Sequence, residues 1–208
     1  MREDQDMTTL KENSTSWSEV GQAYPHESAA MHVSGEATYT DDIPEVQGTL
    51  HAALGLSQKA HALIKSINLD AVKNAQGVIA VFTASDIPGV NDCGPIIHDD
   101  PILADGKVDY IGQPIFIVVA DTHDHARRAT RKAIIDYEEL PAILTPQQAK
   151  QANAFALPPL RLQRGDFQRA IDASPHRMIG ELYVGGQEHF YLEGQIAYAI
   201  PKEGHCMQ

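Results

Sequence analysis

The chain has 208 residues, of which 43% are hydrophobic and 21% are charged, so it can bury a core without metal or disulfide staples. Asp and Glu number 28 against 16 Lys and Arg, which gives a net charge of −12. So acidic a surface repels phosphate backbones and anionic lipid. We therefore expect no nucleic-acid partner and no membrane partner.

Several absences in the sequence favour a cytoplasmic protein. The longest apolar runs, such as Ile115–Ala120, are far too short to cross a bilayer. Residues 1–18 are polar and of mixed charge, and they lack the apolar stretch of a secretory signal. The two cysteines, Cys93 and Cys206, form no Cys-x-x-Cys pair. We therefore expect neither a disulfide framework nor a thiolate zinc site.

Three stretches predict irregular structure. Residues 1–19 carry no hydrophobic period, and we interpret them as a mobile N-terminal tail. Residues 20–44 are rich in turn-forming residues, which predicts an extended segment laid over a surface rather than a helix or strand. Residues 85–106 are rich in Asp, Pro and Gly and predict a long loop.

Between these stretches the hydrophobic pattern predicts strands. The expected strands are 50–56, 62–69, 78–83, 115–120 and 134–137. The segment 78–83 is almost wholly apolar, so we expect it to be buried on both faces, and 115–120 is the clearest buried strand.

Two helices are expected among these strands. Asp70 can cap a short helix over Ala71–Ala75. Asp121-Thr122 offers an N-cap for a second helix, which places Ala126 and Ala129 on one face. Because strand, helix and strand then follow with short joints, the pattern predicts a crossover unit in which strands 115–120 and 134–137 are parallel.

The C-terminal part predicts two short helices and two strands. Thr145–Gln148 is a capping box with proline at the first helical position, and Asp166 can cap a helix through Ile171. Strands are expected at 178–184 and 196–200. The second leads into a turn at Pro201–Gly204 with no strand returning to pair with it. This predicts the front portion of a longer polypeptide, the alternative being an edge strand with a short tail.

Three clusters with possible metal or acid/base chemistry have simpler interpretations. His123 and His125 are two residues apart on a helix, so they point to different faces and cannot chelate together. His98–Asp100 is interpreted as a loop turn with solvated charges. Asp41–Pro44 places aspartates just before a proline, which is ordinary turn chemistry. A His-dependent metal hydrolase therefore has no ligand spacing in its favour.

Gly185 and Gly186 differ from these clusters because they follow an expected strand and directly precede a polar residue, Gln187. Two adjacent glycines allow a sharp turn and a close approach to another group. Gln187 would then project from the turn. Its amide offers two donors and an acceptor without charge, which suits an oxo group or a polar cofactor atom. A glycine turn with a solvated Gln187 is the alternative that these residues leave open.

Sequence blocks taken in order resemble the molybdenum-binding subunit of the xanthine dehydrogenase family. The blocks are Val20-Gly21, 25–30 (PHESAA), 32–44 (HVSGEATYTDDIP), 60–67 (AHALIKSI), 82–89 (FTASDIPG), 137–142 (YEELPA) and 180–193 (GELYVGGQEHFYLE). The match runs from about residue 20 to 201, which is nearly the whole chain. Each block alone is weak evidence, but the ordered set is specific.

The resemblance implies an α+β fold, with the α/β-hammerhead domain at about 33–143 followed by the first strands of a molybdopterin-binding domain. The implied division is a tail at 1–19, a lead-in plus hammerhead at 20–157, and a truncated molybdopterin-binding domain at 158–208, with the boundary at Pro158-Pro159. Intact members hydroxylate hypoxanthine and xanthine to urate with water as the oxygen source. Electrons leave through a 2Fe-2S cluster and FAD to NAD.

Gln187 matches the family glutamine that hydrogen-bonds an oxygen ligand of molybdenum, and Gly185 and Gly186 match the turn that presents it. The family's cofactor loop, substrate-binding residues and catalytic glutamate lie beyond the equivalent of Gln208. The resemblance thus implies no catalytic residue in this chain and no molybdenum–molybdopterin bound by it alone. Gly194 stands where members commonly carry a larger residue. The implied partners are the remainder of the molybdenum subunit, the iron–sulfur/FAD subunit and a purine substrate.

Two further hypotheses remain open from the sequence. The chain could be a non-catalytic interaction module of hammerhead fold. It could also belong to an aldehyde-oxidising member of the same family, because the residues that would choose between purine and aldehyde are outside this sequence.

Overall fold

The computed structural model describes residues 21–203 and the backbone of residues 206 and 207, in two compact units. Residues 45–184 form the larger unit. The described residues of 1–44 and 185–208 form the smaller unit. The predicted tail at 1–19 and the glycine that ends the predicted turn, Gly204, lie outside the described residues.

The regular elements are short and separated by long connections. The strands are β1 (His51–Leu56), β2 (Ala62–Asn68), β3 (Val78–Thr83), β4 (Lys107–Val108), β5 (Pro114–Ala120), β6 (Ile134–Glu139), β7 (Pro201–Lys202) and β8 (Cys206–Met207). The helices are α1 (Ala29–Ser34), α2 (Asp70–Lys73), α3 (His123–Thr130), α4 (Pro146–Gln151) and α5 (Phe167–Ala173). In the part of the chain that the structure describes, no helix has both the length and the apolar character needed to span a bilayer.

The larger unit contains two antiparallel three-stranded sheets, in the orders β1-β5-β3 and β4-β2-β6. The prediction that β5 and β6 are parallel neighbours is wrong, because α3 carries the chain from one sheet to the other. The reason lies in β6, whose exposed residues alternate with half-buried Ile135 and Tyr137. Such alternation suits an antiparallel strand with one solvated face. Lys65 of β2 pairs with Glu138 of β6 at 2.8 Å.

The core of the larger unit lies around the central strand β5. Phe116 and Val118 on β5 pack in one buried cluster with Ala129 of α3. The Phe116 ring lies directly over Gly55 of β1, where an added Cβ would come within 2.1 Å of the ring. The prediction of a buried strand at 115–120 is confirmed, because β5 has a strand on each side and a helix on one face.

The prediction that residues 78–83 are buried on both faces is wrong. β3 is an edge strand, and Ile79 and Phe82 are 62% and 44% exposed. Phe82 lies opposite Ile117 of β5, which in turn lies opposite Leu54 of β1. These three side chains lie on the face of the sheet opposite to α3. That face is open to solvent, so the apolar sequence of β3 does not mean that both of its faces are buried.

Helix α3 begins as the sequence predicts. The Thr122 hydroxyl accepts the backbone N–H of His125 at 3.2 Å, and Ala126 and Ala129 are buried on one face. Helix α2 begins one residue earlier than predicted. Asp70 is its first residue rather than its cap, and the side-chain oxygen of Asn68 accepts the Asp70 N–H at 3.0 Å.

The start of α3 makes the stability of the fold sensitive to acid. Oδ1 of Asp121 lies 2.6 Å from Nδ1 of His125, and the hydrogen bond from this ring holds the pKa of Asp121 below its ordinary value. A carboxyl whose pKa is lowered by folding stabilises the fold above its unfolded pKa, and this contribution is lost as the pH falls through the folded pKa. We expect Asp121→Asn to lower Tm at neutral pH and to flatten the fall of Tm between about pH 5 and pH 2. Thermal melts across this range check it. Asp105→Asn in an exposed loop is the control, and an equal effect there would contradict the assignment.

The predicted helix caps in the C-terminal part of the larger unit are confirmed. Thr145 accepts the Gln148 N–H at the start of α4, and Asp166 accepts the Arg169 N–H at the start of α5. The predicted strand at 178–184 is absent, and these residues form no regular element. A strand is stable only when a neighbouring edge completes its hydrogen bonds, and no described strand supplies that edge.

The smaller unit contains α1, a 3-10 turn at Thr40–Asp42, an irregular run from 185 to 200, and the β7–β8 hairpin. Three predictions need correction. Residues 20–44 are not wholly extended, because α1 forms there and ends at Gly35, whose φ is 78°. Residues 196–200 form no strand. Pro201 and Lys202, which are predicted to open a turn, form β7, and β8 pairs with it, so the expected unpaired end is wrong.

Candidate cofactor-contacting site

Gln187 lies in the irregular run of the smaller unit, with its side chain exposed to solvent. Its amide makes no hydrogen bond with any other described residue. The sharp turn predicted at Gly185 and Gly186 is absent, because neither glycine has a positive φ and the backbone runs on without a turn. An added Cβ at either glycine would meet nothing within 4 Å. Within the described chain, therefore, neither backbone strain nor crowding requires a glycine there.

An open cavity of about 520 Å³ is lined by Gln187, Glu188 and His189. These consecutive residues bring a neutral amide, a carboxylate and an imidazole to one place. The Glu188 carboxylate also accepts the backbone N–H of Phe190 at 3.4 Å. Phe190 has a φ of 54°, a left-handed conformation that is uncommon for a bulky residue. The cavity is thus followed at once by a constrained backbone position.

The donor set of this cavity fits one contact to a polar cofactor rather than a complete binding site. The Gln187 amide has two N–H donors free, which suits an electron-rich oxygen on a metal. Over residues 21–203, no group of three or more His, Cys, Asp or Glu side chains is arranged to hold a metal ion directly. Within the described residues, Gln187 thus offers free amide donors but does not belong to a group that could hold a metal ion directly.

No residue of the three clusters set aside in the sequence is among the residues that line this cavity. The His125 ring is engaged by Asp121, and the His98 ring by Asp92, so each makes a local contact. The N–H of Gly94, followed by the ring of His98, lowers the pKa of Asp92. In the third cluster, Asp42 accepts the Tyr39 N–H at 3.0 Å and so closes the 3-10 turn.

Sequence reasoning missed a contact between the run that carries Gln187 and the 3-10 turn. The backbone N–H of Thr40 donates to Oε1 of Glu193 at 3.4 Å, across 153 positions of sequence. The neighbouring Gly194 leaves room for Asp41, because a Cβ at Gly194 would lie 3.2 Å from Oδ2 of Asp41. No periodicity or local motif could reveal this contact. The departure at Gly194 was the only signal in the sequence.

Two family models together match most of the chain. Residues 34–141 match the aldehyde oxidase and xanthine dehydrogenase a/b hammerhead domain, and residues 146–208 match the molybdopterin cofactor-binding domain. The chain is 43% identical over 183 residues to "Xanthine dehydrogenase/oxidase" of Mus musculus and 45% identical over 185 residues to "Xanthine dehydrogenase" of Oryza sativa subsp. japonica. Each alignment covers 88% of this chain and 14% of the relative. The chain thus spans only a small part of the curated relatives it matches.

Solved structures show the same likeness. The aldehyde oxidoreductase of Desulfovibrio gigas matches 90% of this chain with a TM-score of 0.74 and 30% identity, and 23% of that chain is covered. The CO dehydrogenase of Oligotropha carboxidovorans matches 62% of this chain with a TM-score of 0.54 and 32% identity, and 16% of that chain is covered.

Proposed function

The chain belongs to the aldehyde oxidase and xanthine dehydrogenase family, and from this premise we propose that it is the N-terminal part of the molybdenum-cofactor subunit of a xanthine dehydrogenase. The observation that carries the proposal is the identity of 43% and 45% to xanthine dehydrogenases over 88% of the chain. In this proposal the intact protein hydroxylates hypoxanthine and xanthine to urate. A 2Fe-2S cluster and FAD on a partner subunit or segment then pass the electrons to NAD.

The role proposed for this chain is support rather than chemistry. When bound, the molybdenum–molybdopterin group supplies the oxidising chemistry. The Gln187 amide would donate a hydrogen bond to an oxygen ligand of that metal, and it would do so without adding charge. Gly185 and Gly186 leave the approach to Gln187 open, since no side chain stands beside it. Such contacts orient a metal group and tune it without touching the metal.

Exposed apolar side chains support the remainder of the molybdenum subunit as a partner. Met178 and Ile179 are 97% and 98% exposed, and Phe190 and Leu192 are similarly open. Folded proteins rarely leave large contiguous apolar patches in water unless another polypeptide covers them. Phe190 and Leu192 follow Gln187 closely in the sequence. We propose that the polypeptide which covers them also completes the cofactor site.

The alternatives have weaker support. An aldehyde-oxidising function is favoured by the structural match to the Desulfovibrio gigas enzyme, but the sequence identity there is 30%, against 43% and 45% for the xanthine dehydrogenases. A non-catalytic hammerhead module does not account for the molybdopterin-domain match at 146–208. The boundary at 157/158 and the cytoplasmic location stay predictions.

The metal content and substrate preference of a longer protein that contains this chain distinguish these functions. We expect the longer protein to hold molybdenum and to oxidise hypoxanthine and xanthine with reduction of NAD. The 208-residue chain alone should do neither. Metal analysis and steady-state kinetics with purines and aldehydes are the measurements. A preference for aldehydes would replace the proposed substrate, and a longer protein that binds no molybdenum would overturn the proposed function.

A further inference from the structure

We propose that Glu193 is a positioning residue for Gln187, because it fastens the run that carries Gln187 to the turn at Thr40–Asp42. This inference rests on the proposed function of Gln187. It adds a residue whose effect on the cofactor contact would be indirect, through the backbone between positions 187 and 193.

The first support is the hydrogen bond between Thr40 and Glu193. Thr40 begins the 3-10 turn, so its N–H is one of the donors that the start of a helix leaves without a partner inside it. Oε1 of Glu193 accepts this N–H at 3.4 Å. The contact is exposed and long, so we assign it a modest strength.

The second support is the close approach of the next residue on each side. Gly194 follows Glu193, and Asp41 follows Thr40. An added Cβ at Gly194 would lie 3.2 Å from Oδ2 of Asp41, which is tighter than ordinary van der Waals contact. The two segments thus meet at two adjacent positions, and the second meeting does not depend on the hydrogen bond. The missing side chain at Gly194 leaves the space that Asp41 enters.

Short-range contacts link this fastening point to the cavity. Nε2 of Gln195 donates to the Tyr191 hydroxyl at 2.7 Å, which ties together the residues on each side of Glu193. Nearer the cavity, the carboxylate of Glu188 holds the N–H of Phe190. We therefore expect a shift at Glu193 to be passed along the backbone towards Gln187.

Glu193→Ala should weaken the contact at Thr40 and change the surroundings of Gln187. We expect the Thr40 amide to exchange with solvent about three times faster, as loss of one modest hydrogen bond implies, and the side-chain amide signal of Gln187 to shift in the NMR spectrum. Glu193→Gln keeps an acceptor oxygen on a side chain of the same length, so it should restore most of the protection. Glu181→Ala is the matched control, because Glu181 lies as far before Gln187 as Glu193 lies after it and makes no hydrogen bond with a described residue. The measurement uses the full 208-residue chain.

A second variant tests the contact without removing the hydrogen bond. Gly194→Val should press on Asp41 and raise the exchange of Thr40, and Asp41→Ala added to it should reverse most of that rise. The effects of two substitutions on amide exchange are not additive when the two residues are in contact, and they are additive when the residues are far apart. Additive effects, or an unmoved Gln187 signal in Glu193→Ala, would overturn the proposal.

These measurements need no molybdenum, so they separate the inference from the proposed function. If the side-chain amide signal of Gln187 shifts in Glu193→Ala but turnover is unchanged in Gln187→Ala, Glu193 positions Gln187 and the proposed function of Gln187 is wrong. If turnover falls in Gln187→Ala but the Gln187 signal is unchanged in Glu193→Ala, only the positioning role of Glu193 is wrong.

Discussion

In a longer, molybdenum-loaded protein that contains this chain, Gln187→Ala should lower kcat for xanthine roughly 10- to 150-fold. The figure follows from a hydrogen bond to a strongly polarised oxygen, which contributes about 1.5–3 kcal/mol, with each 1.4 kcal/mol worth tenfold in rate. The amide has no other described partner, so its removal leaves no buried group unsatisfied in this chain. Steady-state kinetics, normalised to bound molybdenum, measure the effect.

Two further variants sharpen this result. Gln187→Glu has nearly the same shape but lacks the N–H donors, so it should lose as much as alanine or more. Gln151→Ala removes another exposed amide, at the end of α4, and should leave kcat unchanged. Equal turnover in wild type and Gln187→Ala, at equal molybdenum content, would contradict the role assigned to Gln187.

The second large effect concerns stability. We expect Phe116→Ala to lower the free energy of unfolding by about 3–5 kcal/mol. Phe116 is 1% exposed, and its ring fills the centre of the larger unit between β1 and α3. Urea unfolding of the 208-residue chain, followed by far-ultraviolet circular dichroism, is the measurement.

Phe82→Ala is the matched control, because Phe82 lies on the edge strand of the same sheet and is 44% exposed. It should cost less than about 1.5 kcal/mol. Gly55→Ala should also destabilise the protein, because its Cβ would meet the Phe116 ring at 2.1 Å. Equal losses at Phe82 and Phe116 would contradict the assigned core.

Local structure was predictable where a short pattern determines it. The strands at 51–56, 62–68, 78–83 and 114–120 lie within a residue or two of their predicted bounds. The caps at Thr122, Thr145 and Asp166 are confirmed, because a cap depends on residues three positions apart. The resemblance supplied the α+β class, and the family models confirm a hammerhead followed by the start of a molybdopterin-binding domain.

Pairing was not predictable in the same way. A hydrophobic pattern fixes which residues of a strand share a face, but it does not name the neighbouring strand. The sequence therefore placed β5 beside β6, whereas β6 pairs with β2. The same limit applies at the candidate site. Gln187 stood out through a matched motif, but the hydrogen bond from Thr40 to Glu193 joins residues 153 positions apart.

The packing of the Phe116 ring over Gly55 also constrains how related sequences can diverge. The Phe116 ring occupies the space that a side chain at position 55 of the neighbouring strand would need. A side chain gained at 55 overfills that space, and a ring lost at 116 leaves it hollow. Related sequences should therefore carry compensating substitutions at positions 55 and 116, and a substitution at only one of the two should be selected against.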